Sequence, residues 1–355
     1  MTDSETLGAG PRDLGPQDLG DEEPGRSPMR RVGVVAKPGS RAATRSTAEL
    51  AEWLIRRDCE VFVDQASLRV IARPNLRPFE RDGDYDLVVV LGGDGTLLSV
   101  ARGLREGVPL LGVNLGSLGF LTEIARSELY PAMVRVMQGD FEVEVRALLD
   151  VLLTRVDGSE HRVRAFNDAV IAKGARSRII ELSVRVDGNP VARYRSDGLI
   201  VSTPAGSTAY NLSAGGPILY PLLPVIVLTP ICPHTLSLRP IVVPDRSAIE
   251  VVLETPREEV HLTVDGQEST TLGYRDRISI TRHPSPVRLI KTRHRTFYDS
   301  LRGKLHWGTF PKENGALGLS APLPVGPEDV DGAGSEAIEE GEHHGEPDGG
   351  DGGAP

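Results

Sequence analysis

Along residues 30–140, short apolar runs alternate with stretches whose apolar residues return every three or four positions. "RRVGVVAK", "CEVFVD", "DLVVVLG" and "PLLGVNLG" have the compact apolar character of buried strands. "STAELAEWLIRRD" shows helical spacing behind a Ser46/Thr47 capping signal, "TLLSVARGLREG" repeats it up to a closing Gly107, and "ELYPAMVRVMQGD" repeats it again. Strands alternating with helices imply a parallel sheet covered on both faces, its ligands beyond the carboxyl ends of the strands. After about Phe141 the period changes. "FEVEVRALLDVLLTRV", "HRVRAFNDAVIA", "RIIELSVRVDG", "IEVVLETP" and "EVHLTVDG" are short β-branched runs separated by Gly, Pro or Asp, which signals an all-β region. "TFYDSLRGKLHWG" returns to helical spacing and is expected to pack against another element.

The expected fold is α/β plus all-β. A Rossmann-like α/β domain covers residues 29–140, a β-sandwich-like domain covers residues 141–292, and residues 293–310 pack back on the first domain. Charge sharpens these limits. Residues 1–28 carry 7 acidic and 2 basic side chains and residues 311–355 carry 11 and 1, so the net −10 of the chain hides a core at +5. Both acidic tails are poor in bulky apolar residues and are expected to be disordered. The pair His343-His344 in the second tail is read as incidental. A mildly basic core suits small polyanions. It lacks the dense Lys/Arg stripe with interleaved aromatics that a nucleic-acid binder needs. No apolar run is long enough to span a bilayer, and the N-terminus lacks the pattern of a secretory signal. The two cysteines, Cys59 and Cys232, are far apart in the chain and are expected to be reduced, in a cytoplasmic protein.

The chemistry concentrates where "DLVVVLG" breaks into Gly92-Gly93-Asp94-Gly95-Thr96 ahead of a helix. Glycines let backbone N–H groups approach an anion closely, and a helix start adds partial positive charge, so Gly92, Gly93, Gly95 and Thr96 are candidate phosphate-binding residues. A carboxylate among them would repel phosphate unless it had a second task. Asp94 could hold a Mg²⁺ ion that bridges phosphates, or take a proton from a hydroxyl nucleophile. A plain strand-to-helix turn with Asp94 as cap is the other reading. No GxxxxGK[ST] occurs, and no GxGxxG follows a strand.

GGDGT after a strand resembles the kinase superfamily of NAD kinases, diacylglycerol and sphingosine kinases and, more loosely, phosphofructokinases. Downstream blocks narrow the resemblance: "NLGSLGFLTE", "FNDAVI", "YRSDGLIVSTPAGSTAYNLSAGGPI", "PICPHTLSLRPIVVP" and "VDGQ" together look like a bacterial NAD kinase, in order from about Arg30 to Gly308. The resemblance implies that Asp94 is the base for the 2′-hydroxyl of the adenosine ribose of NAD⁺, with Gly95 touching the same nucleotide. It places Asn167-Asp168 on the ribose, where an amide beside a carboxylate suits vicinal hydroxyls; alone, that pair also reads as an Asx turn. Thr208, Ala209, Tyr210, Asn211, Leu212 and Ser213 fall against the adenosine portion. Arg195 and Asp197 fall on the nicotinamide side. Arg178 and Gln267 match positions near the substrate, although an exposed strand arginine and an Asp-Gly turn account for them equally well. His234 is read as a structural histidine hydrogen-bonded within the β domain, and Cys232 as neither nucleophile nor ligand. Several relatives carry a basic residue near the phosphates where this chain has Ser99, so another basic side chain is expected to replace it.

The implied reaction is transfer of a phosphoryl group from ATP, or from polyphosphate, to NAD⁺, giving NADP⁺. The implied cofactor is a divalent cation, Mg²⁺, for which no protein ligand is assigned. The implied assembly is a homodimer or homotetramer in which a neighbouring subunit supplies nicotinamide contacts, with no nucleic acid or membrane as partner. A lipid kinase sharing GGDGT would need an apolar pocket, whereas residues 201–216 offer small polar side chains. A non-catalytic nucleotide-binding regulator would gain little from Asp94.

Overall fold

The computed structural model describes residues 29–116, 119–235, 237–291 and 295–305. Both acidic tails and the His343-His344 pair lie outside the described residues. The first half alternates as the periodicity predicts: β1 (Arg31–Ala36), α1 (Arg41–Ile55), β2 (Glu60–Val63), α2 (Gln65–Ile71), β3 (Leu76–Pro78), β4 (Leu87–Gly92), α3 (Asp94–Gly103), β5 (Pro109–Asn114), β6 (Ile124–Ala125), α4 (Leu129–Met137) and β7 (Glu142–Arg146). α1 starts earlier than its sequence signal. Ser40 caps it, accepting the Ala43 N–H at 3.2 Å, while Ser46 and Thr47 are buried inside the helix. The turn Lys37-Pro38-Gly39 ends β1 and leaves Ser40 as the first side chain able to satisfy the free amides.

The β-rich half runs β8 (Leu149–Thr154), β9 (Glu160–Ala165), β10 (Asp168–Lys173), β11 (Ile180–Val186), β12 (Asn189–Ser196), β13 (Gly198–Ser202), α5 (Tyr210–Ser213), β14 (Val225–Ile231), β15 (Ile241–Pro244), β16 (Ile249–Leu253), β17 (Val260–Val264), β18 (Glu268–Leu272), β19 (Arg277–Arg282), β20 (Val287–Lys291) and α6 (Phe297–Leu305). Two antiparallel sheets form from these, in the orders β15-β14-β13-β10-β17-β18 and β12-β11-β16-β19-β8-β9. Alternate residues such as Val151, Leu153, Leu182, Val184, Leu199, Val201, Val251 and Leu262 face one another in a single apolar core. Alternation along each strand makes that a sandwich.

The other sheet has the order β3-β2-β1-β4-β5-β20-β7, with β6 paired to β5. Here the structure departs from the expected division at Phe141. β7 and β20 pair antiparallel with each other, and β20 pairs parallel with β5, so both ends of the β-rich half extend the α/β sheet. Strand period specifies an extended segment and its buried face, not the neighbour with which it pairs. After β20, Arg295 donates to the Glu123 carbonyl at 3.2 Å in the α/β domain, and Phe297 meets Tyr220 of the β domain edge-on at 5.6 Å. α1 and α4 cover one face of the α/β sheet. α3 covers the other face, together with Phe166 from the β domain. The order 3-2-1-4 puts the topological switch point between β1 and β4, so the crevice beyond their carboxyl ends is where ligands bind. No described helix is long and apolar enough to cross a membrane.

Candidate active site

β4 is buried along its whole length and ends at Gly92, Gly93 caps α3, and Asp94 is the first residue of that helix. A Cβ on Gly92 would lie 2.5 Å from Thr96 Oγ1, so the turn closes too tightly for a side chain there. The N–H groups of Asp94 and Gly95 open α3 and meet no acceptor among the described residues. They are the donors an anion would meet.

The Asp94 carboxylate is not left to repel that anion. The loop after β5 folds over it: Oδ2 accepts from Phe120 N at 2.8 Å, and Oδ1 accepts from Leu121 N at 3.2 Å, Thr122 N at 3.0 Å and Thr122 Oγ1 at 2.9 Å. Asn114 Nδ2 in turn donates to Thr122 Oγ1 at 2.9 Å, deep in the interior. Gly119 passes so close that a Cβ would stand 1.9 Å from Asp94 Oδ1. A carboxylate offers about four acceptor positions. Oδ1 is saturated, while Oδ2 has a single protein partner and keeps a free acceptor position.

The β17–β18 turn binds this loop to the second domain. Gln267 Nε2 donates to Gly95 O at 2.8 Å, and its Oε1 accepts from Arg102 Nη2 at 3.0 Å. Arg102 also sits 3.4 Å from Asp265 and 3.1 Å from Glu268. The Asp265 carboxylate accepts the N–H groups of Phe166, Asn167 and Asp168 at 2.9, 2.7 and 3.1 Å. Asn167-Asp168 and Asp94-Gly95, far apart in the chain, are therefore held by one turn through Asp265 and Gln267.

Asp168 is buried, and its carboxyl is pushed up to about 7, first by loss of solvent and second by the neighbouring Asp265. Burial also raises Asp265, against the lowering effect of the three backbone N–H groups and Arg102. Asp265 accepts three backbone N–H groups and faces Arg102, all of which favour its charged form, whereas Asp168 has none of these donors.

The "STPAGSTAYNLSAGG" segment hangs on the same turn. Thr203 donates through N to Asn167 O at 2.8 Å and through Oγ1 to Phe166 O at 2.7 Å. Thr208, Ala209 and Leu212 are half-buried, while Tyr210 and Ser213 are exposed. Asn211 departs from its expected role against the adenosine. Its side chain is fully buried, donating to Ser207 O and Pro217 O at 3.1 Å each and accepting Thr229 Oγ1 at 2.6 Å, so it shapes the loop from inside.

Arg178, Arg195 and Asp197 do not join this cluster. β10 and β13 run antiparallel, with Asp168 opposite Ser202 at one end and Ala172 opposite Gly198 at the other. Asp197, 3.5 Å from Lys173, thus stands about 17 Å along the strand from Asp168. Arg178 and Arg195 are exposed near it. His234 lies there too. Its backbone N–H donates to Arg195 O at 3.0 Å, but its ring is exposed rather than built into the β domain. Cys59 is buried, Cys232 is exposed, and both are free.

A cavity of about 580 Å³ opens at the switch point beside the glycine turn, lined among others by Lys37, Asp64, Phe79, Arg81, Gly93, Gly95, Thr96, Ser99 and Gln267. Arg81 lines it beside Ser99, donating to Ser99 O at 2.6 Å and Ser99 Oγ at 3.3 Å. Sequence reasoning passed over Arg81, Arg102, Asp265, Gly119 and Thr122. The last two stand in a quoted block without a role, and Asp265 precedes a Gly-Gln that had one.

Asp94 thus combines one carboxylate oxygen of low occupancy with free helix-start amides beside a cavity, an arrangement suited to phosphoryl transfer. Comparison with known proteins makes this specific. The family model of the ATP-NAD kinase N-terminal domain matches residues 32–141, and that of the ATP-NAD kinase C-terminal domain matches residues 166–292. The chain belongs to the NAD kinase family, and its activity is phosphorylation of NAD. It is 45% identical to the NAD kinase of Geotalea daltonii over 283 residues, 79% of this chain and 99% of that protein. It is 46% identical to the NAD kinase of Syntrophobacter fumaroxidans over 285 residues, again 79% and 99%. Among solved structures it is similar to yeast NADH kinase complexed with NADH, with a TM-score of 0.76, 26% identity and coverage of 81% of this chain and 90% of that one. It is also similar to an Archaeoglobus fulgidus NAD kinase in complex with ATP, with a TM-score of 0.61, 28% identity and coverage of 78% and 98%.

Proposed function

We propose that this chain phosphorylates the 2′-hydroxyl of the adenosine ribose of NAD⁺ from ATP, with Asp94 as general base through Oδ2. The carrying observation is the unequal occupation of the two Asp94 oxygens: three donors on Oδ1, one on Oδ2. The ribose rests near Asn167-Asp168, and the segment from Thr208 to Ser213 encloses the adenosine. The ribose O–H breaks and its proton passes to Oδ2. The oxygen forms a bond to the γ-phosphorus as the bond to the β-phosphate oxygen breaks, and ADP leaves. The open amides of Asp94 and Gly95 offset the charge on the transferred group. Positioning and electrostatics supply most of the acceleration in such transfers.

The residues do not build a cage for the expected Mg²⁺. Among the described residues no three His, Cys, Asp or Glu side chains converge, and Asp94 is engaged by four donors. Arg195 and Asp197 at the far end of β10 suit the nicotinamide side of the ligand, and the proposed assembly is a homodimer or homotetramer. Two free cysteines suit a reducing compartment, and the proposed location is the cytoplasm.

The test is formation of NADP⁺ by the purified protein with ATP and NAD⁺. Asp94→Asn lowers kcat on the order of 10²- to 10⁴-fold, the range for a lost general base. NAD⁺ binding, read by calorimetry, is largely kept. Wild-type turnover in that variant removes Asp94 from the chemistry.

A further inference from the structure

Thr122 supplies two of the four bonds on Asp94, and the residue beside it, Glu123, is a buried acid. The Glu123 carboxylate is bonded to Nζ of Lys291, the last residue of β20, and that ammonium also lies 3.7 Å from Glu144 on β7. Glu144 accepts in turn from Arg146 Nη2 at 2.5 Å. Two acids and two cations therefore meet where β20 and β7 extend the α/β sheet. Loss of solvent pushes the Glu123 carboxyl up, and Lys291 is the chief group drawing it back. The Glu123 main chain is held as well. Its carbonyl accepts from Arg295 Nη1 at 3.2 Å, and Arg295 Nη2 reaches Glu128 at 3.5 Å. A buried ion pair is a poor way to gain stability, because desolvation cancels much of the attraction. What it fixes is position. β6 pairs with β5 only from Ile124 onward. In the segment before it, side chains from elsewhere in the fold hold Thr122 through Asn114, and Glu123 through Lys291 and Arg295.

We propose that Lys291 is a positioning residue for the reaction. Through Glu123 it fixes the Thr122 segment, and through Thr122 the orientation of the Asp94 carboxylate, with Arg295 as a second clamp. The proposal rests on Asp94 as the base and adds that the strand returning from the β domain sets the aim of that base.

The experiment is steady-state formation of NADP⁺ from ATP and NAD⁺ by the whole protein, as wild type, K291M, E123Q, the double variant K291M/E123Q and R295Q, with D94N alongside. Calorimetric titration of NAD⁺ counts the binding-competent sites, and kcat is expressed per such site. A variant that merely folds less well then keeps the wild-type value. K291M lowers kcat roughly 10- to 100-fold, the scale for a reacting group displaced by up to about 1 Å. KM and Kd for NAD⁺ stay within about twofold, because the contact acts on the transition state alone. The double variant costs no more than K291M, since both changes cut the same link. R295Q leaves Glu123 its ammonium and lowers kcat roughly 3- to 10-fold; if K291M does not fold, R295Q decides alone. Wild-type kcat per site in both K291M and R295Q, additive losses in the double variant, or a loss carried by KM for NAD⁺ overturns the proposal. D94N separates it from the reading beneath. Full turnover in D94N removes the base and this inference with it, whereas an inactive D94N beside fully active K291M and R295Q overturns this inference alone.

Discussion

Gly119→Ala is the sharpest probe of how Asp94 is held. The Gly119 N–H donates to Thr122 O at 3.2 Å, closing a turn over the carboxylate. A Cβ built on Gly119 lies 1.9 Å from Asp94 Oδ1, 2.5 Å from Cγ and 2.6 Å from Oδ2, where contacts under 3.0 Å are essentially never seen. Either the loop or the carboxylate therefore retreats by about 1.1 Å. Asp94 is anchored at the start of α3, and Thr122 is fully buried and bonded to Asn114. Both routes stretch the bonds from Phe120, Leu121 and Thr122, now 2.8–3.2 Å, toward the limit of hydrogen bonding. A misplacement of about 1 Å at a reacting group costs on the order of 10²-fold in rate, or about 2.7 kcal/mol of transition-state stabilisation. The assay is steady-state formation of NADP⁺ with both substrates varied. The loss is expected in kcat, with NAD⁺ binding changed little. Gly116→Ala is the control on the same loop: its Cβ would come no closer than 3.8 Å to Asn114 Oδ1, an ordinary contact. A Gly119→Ala enzyme within threefold of wild type, or a Gly116→Ala enzyme equally impaired, refutes the reasoning.

The turn that joins the domains holds two further groups whose removal has a defined effect, Asp168 and Arg102. The Asp168 carboxyl is raised to about 7 by burial and then by Asp265, so the native state holds a proton that the unfolded chain releases near its ordinary value. The stability this contributes is complete below about pH 4 and is lost as pH rises through about 7. Asp168→Asn lacks that titration, so its melting temperature relative to wild type climbs between pH 5 and 7 and levels off above 8; a flat difference contradicts the assignment. Arg102→Met strips the buried Asp265 of its cation and is expected to destabilise the protein by about 3–5 kcal/mol in denaturant melts. A loss below 1 kcal/mol shows that the three backbone N–H groups hold Asp265 by themselves.

The apolar runs and their periods specified the order of strands and helices, because a strand or helix must hide one face wherever it lies. Gly92–Thr96 announced a tight, ligand-facing turn, because no other residues let backbone N–H groups come so close to an anion. The sequence blocks were enough for the family. Other features depended on which distant segments meet. β7 and β20 read simply as strands, and only long-range pairing puts them in the α/β sheet. Asn211 sits in a polar segment, and only the folded loop turns its side chain inward to Thr229. Arg195 and Asp197 open the longest quoted block, yet antiparallel register puts that end of it at the far end of β10 from Asp168. Arg81 has no motif of its own, and becomes a cavity cation because α3 offers Ser99 to hold it. Local chemistry limits the conformation each segment can adopt, whereas contacts between remote residues, which carry no local signal, decide which side chains share a site.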